Sequence, residues 1–150
     1  MYESEADPLN SIVSVQTRHR VEPLLKKYNV DLVLSAHYHS YLRTCANLYD
    51  GKCNTAGGQT HITVGTSGAQ LRKGHLYPHS HWTSKFIKGT YGYGRITVYS
   101  ATALHFEFVQ AGSQEDADAG RVLDNVWLRK DKAAFGSVGE GNTKVSQVSL

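Results

Sequence analysis

Over residues 1–16 the apolar positions are sparse and fall in no period, so no regular element is predicted there. From Thr17 to Tyr28 a helical rhythm sets in. Val21, Leu24, Leu25 and Tyr28 lie three, four and seven apart, one face of a 3.6-residue period. This predicts a helix over 17–28, with Pro23 near its first turn, where proline is tolerated. The run Val30-Asp31-Leu32-Val33-Leu34 is short, β-branched and leucine-rich, and predicts a buried strand reaching Ser35. Beyond it the pattern turns to period two. Thr60-His61-Ile62-Thr63-Val64 alternates, predicting a strand with one buried face. Three more strands are predicted at Gly94–Tyr99, Leu104–Val109 and Val122–Arg129, the first two paired as a hairpin through Ser100-Ala101-Thr102.

The intervals carry their own signals. Residues 69–90 read as one long basic, histidine-rich connection containing His75, His79, His81 and Trp82, of a length often found in functional loops. The stretch 111–120 is acidic and glycine-containing, a solvated loop rather than a cation site. From Asp131 to Leu150 no periodicity survives, and disorder is expected. The domain expectation is therefore a folded body over 1–130 and a polar tail over 131–150, with no internal repeat.

Composition narrows the class. At 150 residues and 40% apolar, with a mean hydropathy of -0.40, the chain can bury one ordinary core. No apolar run approaches a membrane span, and the acidic, polar amino end does not read as a signal peptide. The net charge of +3 is spread thinly, without a basic stripe interleaved by aromatics. Neither a nucleic acid nor a membrane is an expected partner.

The candidate chemistry sits where the first strand ends. Ser35-Ala36-His37-Tyr38-His39-Ser40-Tyr41-Leu42 places two imidazoles at a strand-to-loop junction. Loops at the carboxyl ends of strands converge on the crevice where open α/β sheets bind ligands. If the backbone stays extended, His37 and His39 project on the same side and could both serve a metal, which neutral imidazole suits. Gly65-Thr66-Ser67-Gly68 is not a phosphate-binding P-loop, because it lacks the Gly-Lys-Ser/Thr ending. It reads instead as a place where backbone must come close to the site's rim or to a neighbouring strand. Cys45 and Cys53 flank a polar turn, either as a short-loop disulfide or as free thiols. A zinc ribbon is excluded because no second pair stands at suitable spacing. A histidine-bearing amidohydrolase barrel is excluded by length.

The segment from Val21 to Cys45 resembles the purple acid phosphatases, binuclear metallophosphoesterases with a block of the form Gly-His-x-His-x-Tyr-Glu-Arg after a hydrophobic, Asp-containing run. Met1-Tyr2-Glu3-Ser4 is similar to the family's His-Arg-Pro-Met-Tyr block, and Tyr91–Ile96 and Val122–Trp127 to its closing strands. The resemblance runs with gaps from Met1 to about Lys130. It implies the C-terminal half of a four-layer αββα sandwich, here one helix and about five strands, in the α/β class. It implies hydrolysis of phosphomonoesters at acidic pH by ferric iron paired with iron, zinc or manganese.

In that family His37 matches the ligand of the divalent metal and His39 a ligand of the ferric ion. His19 falls where members place a histidine that binds phosphate or protonates the leaving group, with a surface histidine at a helix start as the alternative. Tyr41 and Arg43 would support the ligand loop, and plant-like members carry a cysteine pair like Cys45 and Cys53. Leu42 stands in place of the usual Glu, and Ala36 in place of Gly.

The family's upstream Asp, Asp–Tyr, Asn–His and further His blocks are not recognisable. The chain is therefore expected to be the C-terminal part of such an enzyme, from a truncated product or an incomplete gene model. It would be inactive alone, with the missing N-terminal half as its natural partner. The alternative is a non-catalytic interaction or regulatory module. Family analogy places it in the secreted, vacuolar or lysosomal space.

Overall fold

The computed structural model describes Tyr2 and residues 8–71, 80–112, 117–130 and 147–149. Among them lie one helix and eight strands, in two compact units, Met1–Thr90 and Tyr91–Leu150. The α/β class expected from the sequence holds, with more strands than the periodicity revealed.

In the first unit, α1 spans Pro8–Lys27 and begins nine residues before the predicted start at Thr17. The apolar rhythm misleads because the protected side of this helix is largely polar. Ser14 and Glu22 are buried, and Arg18, Val21 and Leu25 half-buried, positions that share one side at 3.6 residues per turn. Leu24 and Tyr28, assigned to the inward face by spacing, are 53% and 70% exposed, and Ile12 and Val13 also face out. Pro23 consequently lies deep in the helix, where its missing N–H leaves the His19 carbonyl without its usual donor. The helix ends in a Schellman motif. Asn29 turns left-handed at φ 50°, Val30 N donates to Leu25 O at 2.9 Å, and Asn29 N donates to Lys26 O at 3.1 Å. Lys26 and Lys27 in the last turn favour its dipole.

The chain then enters a mixed sheet. β1 (Leu32–Ser35) lies parallel to β3 (Thr60–Val64), while β2 (Tyr41–Thr44) runs antiparallel to both β3 and β4 (Thr83–Ile87), in the order β1-β3-β2-β4. β1 is an outer strand and only half-protected, with Leu34 exposed, so the expectation of a buried strand is corrected. β4 falls inside the stretch 69–90 read as one loop, while His75 and His79 lie outside the described residues. The core is Tyr2, Tyr41, Leu42, Leu48 and Ile62.

In the second unit β5 (Gly92–Ser100) and β6 (Ala103–Gln110) form the predicted hairpin, and β7 (Val122–Arg129), predicted as a strand, adds antiparallel to β6. Phe106, Phe108 and Val109 of β6 are fully buried. Gly92 is required because a Cβ there would lie 2.5 Å from the Phe108 ring. Within the stretch expected to be disordered, Gln147–Ser149 form β8 on the free edge of β5, giving the order β7-β6-β5-β8. The rest of that stretch lies outside the described residues. Of the acidic loop, Asp118 pairs with Arg121 at 3.5 Å on the surface.

Candidate metal centre

β1 and β3 are parallel, so both end at the same edge of the sheet, and the chain leaving β1 must cross the end of β3 to reach β2. The crossing segment is Ala36–Ser40, which carries both candidate imidazoles. Its departure point is pinned by Ser35 Oγ and Thr63 Oγ1, 3.0 Å apart on paired residues.

The crossing is tight. Gly65 N donates to Ser40 O at 3.1 Å, and Ser40 N donates to Tyr38 O at 2.8 Å. A Cβ at Gly65 would stand 1.7 Å from Tyr38 O, inside any allowed contact, so only glycine fits beneath the histidine loop. This is the close backbone approach the sequence suggested for Gly65. The extended backbone assumed for the His-x-His does not exist. His37 has φ 87°, a region that costs a non-glycine residue on the order of 1 kcal/mol, and the loop bends there. The two side chains therefore do not follow strand alternation.

His39 is oriented by a group that side-chain patterns could not disclose. Its Nδ1 lies 2.7 Å from the Gln70 carbonyl oxygen. A carbonyl can only accept, so Nδ1 carries the proton and donates, leaving the Nε2 lone pair for a ligand. Holding the other ring nitrogen on a carbonyl is how metal-binding histidines are commonly fixed. His37 is exposed, its ring edge-on to Tyr38 at 5.5 Å. Tyr41 and Leu42, which follow the loop, are buried in β2, so the position where the family carries Glu is a core position here. Arg43 is half-buried beside them.

His19 sits exposed in the middle of α1 rather than at a helix start, and no described contact joins it to His37 or His39. Among the described residues no group of three or more His, Cys, Asp or Glu side chains is placed to hold a metal. The donor set is thus a partial fit. Two imidazoles on one loop, one with its lone pair freed by a carbonyl, suit a divalent ion but do not enclose it.

A polar cluster beside this sheet was also missed. The Tyr2 hydroxyl donates to Glu22 Oε1 at 2.6 Å, both residues being buried. The Tyr2 ring stands edge-on to His61 at 4.9 Å and to Trp82 at 5.0 Å. Burial, reinforced by the Glu22 hydrogen bond, raises the Tyr2 phenol well above its ordinary value. Burial also pushes the His61 imidazole down to about 4, and its Nε2 has no hydrogen-bond partner. Cys45 and Cys53, left open by their spacing, form a disulfide.

The strand-end His-x-His, braced by a glycine-dependent crossing in an α/β sheet, puts two imidazoles on one short loop at the edge of that sheet. Residues 58–125 match the family described as iron/zinc purple acid phosphatase-like protein C. The chain is 31% identical over 118 residues to acid phosphatase type 7 of Homo sapiens, covering 72% of this chain and 25% of that protein. It is 27% identical over 130 residues to purple acid phosphatase 1 of Ipomoea batatas, covering 78% of this chain and 27% of that protein. It is 31% identical over 124 residues to probable inactive purple acid phosphatase 1 of Arabidopsis thaliana, covering 76% and 19%. The chain belongs to the purple acid phosphatase family, of which it carries the C-terminal portion. It spans about a quarter or less of the length of these relatives.

Proposed function

We propose that this chain is the C-terminal part of an acid phosphatase acting on phosphomonoesters, and that it contributes His37 and His39 to a binuclear metal centre. The observation that carries the reading is the Gln70 carbonyl on His39 Nδ1, which leaves Nε2 as a ready donor on a loop that Gly65 holds down. In such a centre iron, paired with iron, zinc or manganese, supplies a bound water acidic enough to be a nucleophile near neutral pH. His37 and His39 would hold part of that pair, and the remaining ligands would come from residues outside this chain. His19 stays a proposal for phosphate contact or leaving-group protonation in the completed site.

The first unit supports an incomplete body. β1 has no partner on its outer edge among the described residues, and Ile12, Val13, Leu24 and Tyr28 turn apolar surface outward on α1. These are the surfaces on which the rest of the enzyme would pack. Family analogy extends the proposal to a secreted, vacuolar or lysosomal location.

The test is p-nitrophenyl phosphate hydrolysis near pH 5 by the purified chain with added iron and zinc. The expected result is no turnover alone, and turnover that depends on His39 when the upstream portion is fused before it. Robust metal-dependent turnover by the chain alone overturns the proposal that it is incomplete. A second reading, a non-catalytic module, is favoured by the names of two Arabidopsis thaliana relatives, each a probable inactive purple acid phosphatase. It predicts a fused protein that folds, binds metal poorly and never turns over.

A further inference from the structure

The turn inside the disulfide loop makes contacts that a surface turn does not need. Tyr49 and Lys52 exchange both backbone hydrogen bonds, at 3.0 and 2.9 Å. Between them Asp50 and Gly51 both take positive φ, 46° and 74°, the left-handed pair of a tight hairpin turn. The two N–H groups of that pair are spent on side chains far away in sequence. Asp50 N donates to Glu22 Oε2 at 3.1 Å, and Gly51 N donates to the Tyr2 hydroxyl oxygen at 3.0 Å. The same hydroxyl donates to Glu22 Oε1, closing a ring of buried carboxylate and phenol with the two part-buried amides. From the other side His81 Nε2 donates to Gly51 O at 2.7 Å.

Cys45 and Cys53 stand at the two ends of the segment that carries this turn, and both are half-exposed. Cys45 N also donates to the Trp82 carbonyl at 2.8 Å, and the Trp82 ring packs on Tyr2. Bridge, turn and Tyr2 thus form one continuous chain of contacts.

We propose that the Cys45–Cys53 disulfide is a redox-controlled clamp on Tyr2. Reduction by a dithiol breaks the S–S bond and leaves two cysteine thiols, while the dithiol becomes a cyclic disulfide, so two electrons and two protons are transferred. The freed segment no longer holds Asp50 N and Gly51 N on the Glu22–Tyr2 pair, and the Tyr2 ring leaves its place between His61 and Trp82. This inference does not depend on the phosphatase reading.

Coupling between two sites is reciprocal, so an anchored Tyr2 must in turn stabilise the bridge. The experiment is the equilibrium of the full chain against a dithiothreitol series, read by thiol alkylation and mass spectrometry, for wild type, Tyr2→Phe and Glu22→Gln. The expected result is a bridge about tenfold easier to reduce in either variant, a rise of about 30 mV in midpoint potential. Amide exchange of Asp50 and Gly51 in the oxidised protein supplies a second readout, with protection expected to fall in both variants. Equal reduction equilibria in all three proteins, or unchanged exchange at Asp50 and Gly51, overturns the clamp.

Discussion

His61 ties the stability of the first unit to pH. The residue is 4% exposed, its Nε2 has no hydrogen-bond partner, and burial lowers its pKa from 6.5 to about 4. The unfolded chain therefore binds a proton between these two values that the folded chain refuses. The sign follows from linkage. Stability is complete above the unfolded value and is lost as pH falls through 6.5 towards 4. The gap of about 2.5 units corresponds to about 3 kcal/mol in all, and close to 2 kcal/mol of it is gone by pH 5. That is a large share of the 5–15 kcal/mol typical of a whole domain.

The assay is urea unfolding in a Trp127→Phe background, which leaves Trp82 as the sole tryptophan, 5.0 Å from the Tyr2 ring that packs on His61. Wild-type His61 should lose stability between pH 6.5 and 4. The His61→Gln variant, starting lower, should hold a flatter profile over that interval. Parallel pH profiles for the two proteins would mean that a group other than His61 titrates, and would rule out His61 as the source of the pH dependence.

Further outcomes follow from packing. Gly65→Ala, which sets a methyl on the Tyr38 carbonyl, should cost at least the 1–3 kcal/mol of ordinary overpacking and shift the His37 and His39 imidazole resonances together, read by thermal unfolding and NMR. Replacing Cys45 and Cys53 by Ser should destabilise the first unit by roughly 2–3 kcal/mol, the worth of closing a short loop, in chemical denaturation. Phe106→Ala should cost about 3–5 kcal/mol in the second unit, seen as early loss of amide-exchange protection in β5–β7. In its neutral form the His39 ring should show the Nδ1–H tautomer by nitrogen NMR, because Nδ1 faces the Gln70 carbonyl.

Turn chemistry and alternation exposed the β5–β6 hairpin and β7, whose partners lie close in sequence. Alternation also located β3 but not its burial: as the inner strand between β1 and β2 it buries Thr60, His61 and Thr63 along with Ile62, which corrects the expectation of a single buried face. The helix misled for a physical reason. Ser14, Arg18 and Glu22 share its inner side with Val21 and Leu25, while Leu24 and Tyr28 look outward, so apolar spacing alone misplaced half of its stripe. β4 and β8 depend on partners distant in sequence, Leu42 for Phe86 and Ile96 for Val148, and no local period announces such pairing. At the site the placement of the two histidines just after β1, and a close backbone approach in the 65–68 loop, were legible. The bend at His37 and the Gln70 carbonyl were not, since one is a backbone angle and the other a group every residue owns. The Tyr2–Glu22–Asp50 cluster spans separations of 20 and 28 residues and leaves no spacing to read.

In the proposed reading His37 and His39 form one part of a metal centre that other residues complete. Zinc titration calorimetry at neutral pH, on the chain and on the His37→Ala/His39→Ala double variant, tests it most directly. Weak zinc binding at one site, lost in the double variant, is expected. Identical titrations of the two proteins would contradict it, because the pair would then contribute nothing to metal binding.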